Sequence, residues 1–345
     1  MKGKEFMKPS ETKYFADFFS HIYVEDGARS YPITREILSR FGNSGIIPIT
    51  HYKDIFNRAH QSFFLQKQAP ALILAVKHGK LIYPGARVCQ SFGNSHFCYT
   101  STIMNCIYDC EYCYLQGMYP SGNTVLFVNL EDFFEETDRL LSEHPLYLCV
   151  SYDTDLLALE GITGFAGKWA AFASERPNLT IEIRTKAAYI PDFEKATFPK
   201  NVIYAWTLSP DAVTDGFEHR TPRLDARLSA VKAAIDAGLT VRLCFDPMIY
   251  LPDYQKIYSE FYLRVFNGIN ASDILDVSLG LFRISADYLK SMRKSRMGLV
   301  TSYPYTNTDG VCSYEQKKAD EMLIFARNEL SKYIEPHRIF EFRNG

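Results

Sequence analysis

Short apolar runs alternate with amphipathic stretches along most of this chain. The runs are rich in β-branched and aromatic residues and predict buried strands, whereas the stretches between them have apolar residues at helical spacing. The strands are predicted at residues 71–76, 80–83, 125–129, 147–151, 180–184, 202–207, 240–245 and 277–281. The helices are predicted at residues 35–40, 131–141, 164–175, 191–197, 223–237 and 253–266, and Gly42 ends the first of them.

Strand and helix alternate from residue 125 onward, which is the order of βαβ units in a parallel sheet. About six repeats are present, fewer than the eight of a closed TIM barrel. We therefore expect an α/β fold whose main domain, residues 91–290, is a partial, open (β/α)6 barrel. A first barrel strand is expected near residues 96–100, with the chemistry placed where the strands end. Residues 1–90 are expected to form a mixed α/β region, and residues 291–345 a C-terminal segment.

Composition places the chain among ordinary globular proteins. Of its 345 residues, 47% are hydrophobic and 23% are charged, and the formal net charge of −2 gives no bulk signal for a polyanion partner. The N-terminus has no apolar segment of a secretory signal, and the longest apolar run, residues 69–76, is too short to span a bilayer. These features predict a cytoplasmic protein.

Three of the eight cysteines lie within eight residues, in the spacing C-x3-C-x2-C. Cys106, Cys110 and Cys113 are therefore predicted to bind metal, because a disulfide framework is unusual in a cytoplasmic chain of this length. Thiolates are the usual ligands of iron–sulfur clusters, and a four-iron cluster has four ligand positions. Three clustered cysteines predict a [4Fe-4S] cluster with one iron left open for a substrate or cofactor.

Two other interpretations of the triplet remain open. Cys98 and His96 lie upstream and could complete a zinc site, and the thiols could also be buried structural residues. Tyr112 occupies the position before the last cysteine, where radical S-adenosylmethionine (SAM) enzymes with this motif contact the adenine of SAM. The alternative for Tyr112 is simple packing beneath the loop.

At this point the sequence resembles the spore photoproduct lyase family, radical SAM enzymes that reverse the thymine photodimer of spore DNA. The resemblance covers most of the chain from about residue 70 and is weaker before it, and it is closer to the clostridial branch. The similar segments are residues 110–116 (CEYCYLQ), 124–131, 154–155, 185–186, 224–227, 237–238 and 312–314.

The resemblance implies a partial barrel, a [4Fe-4S] cluster, SAM as cofactor and DNA with thymine photodimers as substrate. A 5′-deoxyadenosyl radical would abstract a hydrogen from the dimer, and a protein donor would quench the product radical. By motif position Thr154, Lys186 and Thr207 match SAM contacts, although Thr154 also suits a helix cap and Lys186 a solvated strand end. Asp246 departs from the family, which can have a small residue there.

The hydrogen donor is the least certain assignment from the resemblance. The Bacillus branch has its donor cysteine where this chain has Tyr152. The clostridial branch has it upstream of the cluster, which points to Cys89 first, then Cys98, with Cys149 third because its offset on the strand turns it to the other face. Tyr112 and Tyr114 match tyrosines that relay the radical between the donor and SAM.

DNA contact would require the damaged bases to leave the duplex. Arg293, Lys294 and Arg296 are the first candidates for phosphate contacts, and the segment 219–223 (HRTPR) is the second. A flavodoxin or ferredoxin is the expected electron donor, and a monomer is the expected state. Two alternatives stay open: a divergent radical SAM enzyme with a non-DNA substrate, and a nucleic-acid binding protein without catalysis.

Overall fold

Six parallel strands form the body of the larger sheet in this computed structural model, which describes residues 18–41, 45–86, 88–188 and 199–343. In sheet order they are Phe97–Thr100, Leu146–Cys149, Leu179–Thr185, Val202–Thr207, Thr240–Met248 and Asp276–Leu281. Ile82–Pro84 adds an antiparallel strand at one edge, and Ile339–Glu341 a parallel strand at the other. The predicted parallel α/β sheet is confirmed, including a first strand after residue 96.

Five of the six predicted helices are present with small shifts at their ends, and the structure adds helices that the sequence pattern did not predict. The first begins at Pro32 rather than at residue 35, because proline suits the first turn of a helix. The predicted helix at residues 191–197 lies outside the described residues, as does Gly42. The helices are Pro32–Arg40, Lys53–Phe56, Phe63–Gln68, Leu115–Met118, Leu130–Leu141, Glu160–Thr163, Phe165–Ser174, Asp211–Phe217, Leu224–Asp236, Tyr254–Gly268, Ala286–Ser295, Leu299–Ser302 and Gln316–Leu330.

A second, five-stranded sheet corrects one strand assignment. Its order is Ile46–Ile49, Ile22–Glu25, Leu72–Ala75, Thr124–Phe127 and Ile103–Met104. The strand predicted at 125–129 was counted with the barrel strands, but Thr124–Phe127 pairs in parallel with Leu72–Ala75 instead. Both strands are buried along their whole length, and a buried strand does not reveal its partner through its own pattern.

Two small strand pairings connect the loops at the carboxyl ends of the parallel strands. Asp109–Cys110 pairs in antiparallel fashion with Glu218–His219. This pairing connects the loop of the clustered cysteines, residues 106–113 (the cysteine loop), to the segment after the strand Val202–Thr207. Val311–Ser313 lies between Arg283–Ser285 and Thr306–Thr308 in a three-stranded sheet. These pairings fix the loops that follow the strand ends.

One apolar core joins both sheets to the helices that pack on them. Phe134, for example, stacks on Phe172 and meets Trp169 edge-on, which fastens two neighbouring helices together. Within the described part of the chain, none of the helices combines the length and the apolar character that crossing a membrane requires.

Candidate active site

A cavity of about 680 Å³ opens at the carboxyl ends of the parallel strands. Its size and position are typical of ligand sites in α/β proteins. The sequence-predicted residues that line it are Cys89, Cys106, Cys110, Tyr112, Cys113, Tyr114, Cys149, Thr154, Lys186, Thr207 and Asp246. The fold therefore brings together residues from loops that lie far apart in the sequence.

The cysteine loop is held from outside by a buried lysine. Lys67, from the helix Phe63–Gln68, donates hydrogen bonds through Nζ to the carbonyl oxygens of Cys106 and of Tyr108, the latter at 3.2 Å. Gln116 Nε2 donates to the carbonyl of Cys110 at 2.6 Å. The loop conformation is thus set by the rest of the chain and not by a metal alone.

Burial raises the pKa of all three thiols of the triplet, that of Cys106 to about 11. The nearby ammonium groups of Lys67 and Lys186 oppose this rise in pKa and would stabilise thiolates. Cluster binding would therefore have to release protons from these thiols.

The donor set fits a cluster better than a zinc ion. In a [4Fe-4S] cluster the three thiols bind three different irons and surround the cluster. Among the described residues, no three His, Cys, Asp or Glu side chains converge where a single metal ion would sit. The upstream zinc candidates do not join the triplet: His96 stacks on His144 with ring centroids 3.7 Å apart, and Cys98 is absent from the cavity wall.

Tyr112 belongs to a buried charged network that the sequence did not reveal. Its hydroxyl donates a hydrogen bond to Oε1 of Glu218, while Arg227 Nη2 donates to Oε2 of the same carboxylate. Arg227 also donates to the carbonyl of Thr207 at 3.2 Å. Two of the predicted SAM contacts, Tyr112 and Thr207, are therefore fixed by one ion pair whose side chains are fully buried.

Thr154 carries an orphaned polar atom. Its Oγ1 is buried and has no hydrogen-bond partner among the described residues, although Thr154 lines the cavity. A buried hydroxyl without a partner is unfavourable unless a ligand supplies one. This observation fits a bound cofactor at Thr154.

The neighbouring Asp155 explains why Lys186 is directed toward the cysteine loop. Asp155 accepts hydrogen bonds from Thr185 Oγ1 at 2.7 Å and from the backbone N–H of Lys186 at 2.6 Å. The Lys186 ammonium lies 5.5 Å from the centre of the Tyr112 ring. Burial opposes its charge, but Cys110 and Glu218 raise the pKa of Lys186 above its ordinary value. Lys186 is therefore a half-buried cation of the site and not a solvated strand end.

Cys89 contacts Tyr152, the residue at the position where a donor cysteine of the Bacillus type was expected. The Sγ of Cys89 lies 3.5 Å from Oη of Tyr152. The ring of Tyr152 stacks on Tyr99 at 3.9 Å between centroids and lies 5.9 Å from the ring of Tyr114. Tyr114 in turn donates hydrogen bonds to the carbonyl of Tyr152 at 2.8 Å and to Asp153 at 3.0 Å.

The structure corrects the orientation predicted for Cys149. That thiol also lines the cavity, because the strand ends at Cys149 and the alternation of faces does not continue through the bend to Tyr152. Cys98 lies on the strand Phe97–Thr100, away from the cavity wall, and Cys244 and Cys312 are buried elsewhere. Of the three donor candidates, Cys89 and Cys149 thus face the cavity.

The side chains predicted to contact DNA phosphates differ in how far hydrogen bonds and ion pairs within the protein already engage them. Arg293 donates to the carbonyls of Thr301 and Tyr303 at 2.7 and 3.1 Å. Arg296 pairs with Asp109 and Glu111 of the cysteine loop, both at 3.1 Å.

Lys294 is exposed. In the second candidate segment, Arg220 donates to the carbonyl of Lys67 at 2.5 Å, and Arg223 pairs with Asp215 at 2.8 Å. Phosphate contact by either group stays a prediction.

Comparisons with known proteins agree with this geometry. The family model described as "Spore photoproduct lyase" matches residues 18–319. The spore photoproduct lyase of a Geobacillus species is 21% identical over 271 residues, covering 76% of this chain and 77% of that protein. That of Clostridium acetobutylicum is 23% identical over 273 residues, covering 75% and 77%. These identities are too similar to assign the chain to a branch.

A solved structure adds the fold. The structure of a spore photoproduct lyase variant with bound AdoMet and dinucleoside spore photoproduct superposes with a TM-score of 0.77 at 19% identity. The superposition covers 94% of this chain and 98% of that one. The radical SAM fold of this chain is therefore shown.

Proposed function

This chain belongs to the spore photoproduct lyase family, and we propose that it is a radical SAM lyase that repairs DNA by reverting the spore photoproduct to two thymines. The observation that carries the proposal is the cavity at the strand ends. It is lined by the cysteine triplet, by the orphaned hydroxyl of Thr154 and by a further thiol, Cys89. A cluster, a cofactor and a hydrogen donor are the three components that this reaction needs.

The residues present fit the implied cofactors. Cys106, Cys110 and Cys113 would hold the [4Fe-4S] cluster and leave one iron open. Tyr112, Thr154, Lys186 and Thr207 would hold SAM, with the Lys186 ammonium suited to an anionic carboxylate and Thr154 Oγ1 to a polar group.

When bound, the cluster and SAM supply the radical chemistry that removes one hydrogen atom from the lesion. The role of the chain is to orient the cofactor and to exclude water from the reaction, which the buried Glu218–Arg227 pair behind Tyr112 and Thr207 supports.

Cys89 is the proposed hydrogen donor to the product radical. It lines the cavity, and burial raises the pKa of its thiol, so that the hydrogen remains on sulfur at neutral pH. In the donating step the S–H bond of Cys89 breaks and a C–H bond forms on the product. The radical left on the Cys89 sulfur would regain a hydrogen atom from the methyl group of 5′-deoxyadenosine, which carries the hydrogen taken from the lesion. Tyr152 and Tyr114, in ring contact beside Cys89, are the proposed path for that hydrogen.

The lesion would reach the cavity by leaving the DNA duplex, which costs a few kcal/mol and less for a damaged pair. Lys294, with Arg293 and Arg296, is the proposed contact to the DNA phosphates. A small electron carrier such as a flavodoxin or ferredoxin is the proposed source of the reducing electron.

Repair of a synthetic lesion tests the function. The protein is reconstituted anaerobically with iron and sulfide, reduced, and incubated with SAM and the dinucleotide spore photoproduct. We expect the intact thymine dinucleotide to form, activity to vanish in Cys106→Ala, and activity to persist in Cys312→Ala, a buried cysteine outside the cavity. Cleavage of SAM without thymine formation would instead indicate another substrate for this chain.

A further inference from the structure

Arg283 connects the end of the barrel to the segment that carries Cys89. Its Nε donates a hydrogen bond of 2.7 Å to the carbonyl oxygen of Val88, the residue before Cys89. Its two terminal nitrogens donate to Oδ1 and Oδ2 of Asp246 at 2.8 and 3.0 Å, in a bidentate pair. Its guanidinium also lies 3.9 Å from the centre of the Phe342 ring. All of its hydrogen-bonding nitrogens are thus engaged, which fixes the guanidinium plane.

The surroundings of Asp246 are shaped to accept this pair. The side chains of Asp246 and Arg283 are only 6% and 10% exposed. A Cβ atom at Gly280 would lie 2.8 Å from Nη1 of Arg283 and 2.9 Å from Cγ of Asp246, so a larger residue there would displace the pair. The favourable field of Arg283 outweighs burial and lowers the pKa of Asp246, which keeps the carboxylate charged. The acidic residue at 246 therefore has a specific partner.

The Cys89 thiol is then held from two directions. Its backbone is fixed through the Val88 carbonyl by Arg283, and by the hydrogen bond from Cys89 N to the Ala86 carbonyl at 2.9 Å. Its side chain meets Oη of Tyr152 at 3.5 Å. Val88 and Cys89, as the structure describes them, lie in a turn outside the sheet, so no strand hydrogen bonds position these two residues.

We propose that the Asp246–Arg283 ion pair is the positioning device that sets the Cys89 thiol over the cavity for hydrogen transfer. Both residues act through Cys89 and are positioning residues in this role. The inference rests on the proposed function of Cys89 as hydrogen donor. It goes beyond that function because it gives Asp246 a positioning role and connects Arg283, near the end of the barrel, to Cys89.

The coupling of SAM cleavage to repair tests the device in the reconstituted enzyme. A misplacement of about 1 Å can slow a positioned step roughly 100-fold. In Arg283→Met we expect SAM cleavage and the first hydrogen abstraction to continue, while repair falls by roughly 10- to 100-fold. The ratio of 5′-deoxyadenosine formed to lesion repaired rises by the same factor. Asp246→Ala should behave similarly, and Arg283→Lys should recover part of the coupling.

The matched control is Arg264→Met, which removes an arginine that also pairs with aspartates, Asp211 and Asp225, but on the surface. It should leave the coupling ratio at the wild-type value. An unchanged ratio in Arg283→Met, or an equal loss of SAM cleavage and repair, would overturn the proposal, since the second result indicates a structural role only.

A second measurement does not depend on the proposed reaction. Iodoacetamide reacts with the thiolate, and the charge of Arg283 lowers the pKa of Cys89, so the alkylation rate is taken at the plateau that it reaches at high pH. This plateau rate of Cys89 alkylation in the cluster-free protein, followed by mass spectrometry, reports how firmly that segment is held. We expect Arg283→Met to increase this rate at least about tenfold, the equivalent of 1.4 kcal/mol in an opening equilibrium, with Cys312 alkylation unchanged. If the wild type repairs no photoproduct, this rate still tests the device, and an unchanged Cys89 rate would overturn it.

Discussion

The ion pair behind Tyr112 predicts a pH-dependent stability that can be worked out from the structure. The side chains of Glu218 and Arg227 are both fully buried. Burial alone would raise the pKa of Glu218, but Arg227, Lys186 and the hydrogen bond from Tyr112 lower it from its ordinary value of 4.5 to about 2. A carboxyl whose pKa is depressed in the folded state stabilises the fold above its unfolded pKa and loses that contribution as pH falls.

The magnitude follows from the two pKa values. Each pH unit between them corresponds to about 1.4 kcal/mol. The ionised Glu218 therefore contributes about 3 kcal/mol of unfolding free energy above about pH 5, and only about 1 kcal/mol near pH 3. The substitution Glu218→Gln removes this titration and leaves Arg227 buried without its anion, which costs about 3–5 kcal/mol at neutral pH.

Urea unfolding of the cluster-free protein, followed by circular dichroism between pH 6 and pH 3, measures the effect. The difference in unfolding free energy between wild type and Glu218→Gln should narrow by about 2 kcal/mol over this range. The exposed Glu260→Gln serves as the control and should show no such narrowing. A difference that stays constant with pH would refute the assignment of a depressed pKa to Glu218.

Three further predictions concern single residues of the cavity. Lys67→Met removes a cation beside the cysteine loop, so the cluster should become harder to reduce. A redox titration monitored by EPR should give a more negative reduction potential than in the wild type, and an unchanged potential would contradict this. Tyr152→Phe removes the hydrogen bond that lowers the pKa of Cys89, so alkylation of that thiol should require higher pH. An unshifted pH profile would show that the contact is absent in solution. Thr154→Val removes a buried hydroxyl that has no partner among the described residues, so SAM binding measured by equilibrium dialysis should weaken roughly tenfold. Thermal stability should stay the same or rise, and a loss of stability would mean that the hydroxyl has a partner within the protein.

Much of the fold was predictable because each strand carries its own signal. The strand at 202–207 has the predicted ends, and the strand Phe97–Thr100 lies where the sequence places it. The sheet that each strand joins was not predictable in the same way. Thr124–Phe127 and Leu72–Ala75 are continuous apolar strands, and their pairing depends on tertiary contacts.

The same distinction between local signals and long-range contacts applies to the candidate site. The cysteine spacing and the motif positions identified the cysteine triplet and the predicted SAM contacts, all of which line the cavity, since those signals are local in sequence. The partners that hold them come from distant segments: Glu218 lies 106 residues from Tyr112, and Arg283 lies 195 residues from Val88. A single charged residue in a sequence resembles any solvated side chain, so these buried pairs appear only in the folded structure.

The central claim, that this chain repairs the photoproduct with Cys89 as hydrogen donor, is tested most directly by repair in D2O. The thiol of Cys89 exchanges its hydrogen with solvent, so the hydrogen that it delivers becomes deuterium. Mass spectrometry of the repaired dinucleotide should find one solvent-derived deuterium in the wild-type product and a loss of this label in Cys89→Ala. A repaired product without deuterium, or one that is labelled equally in Cys89→Ala, would contradict the account.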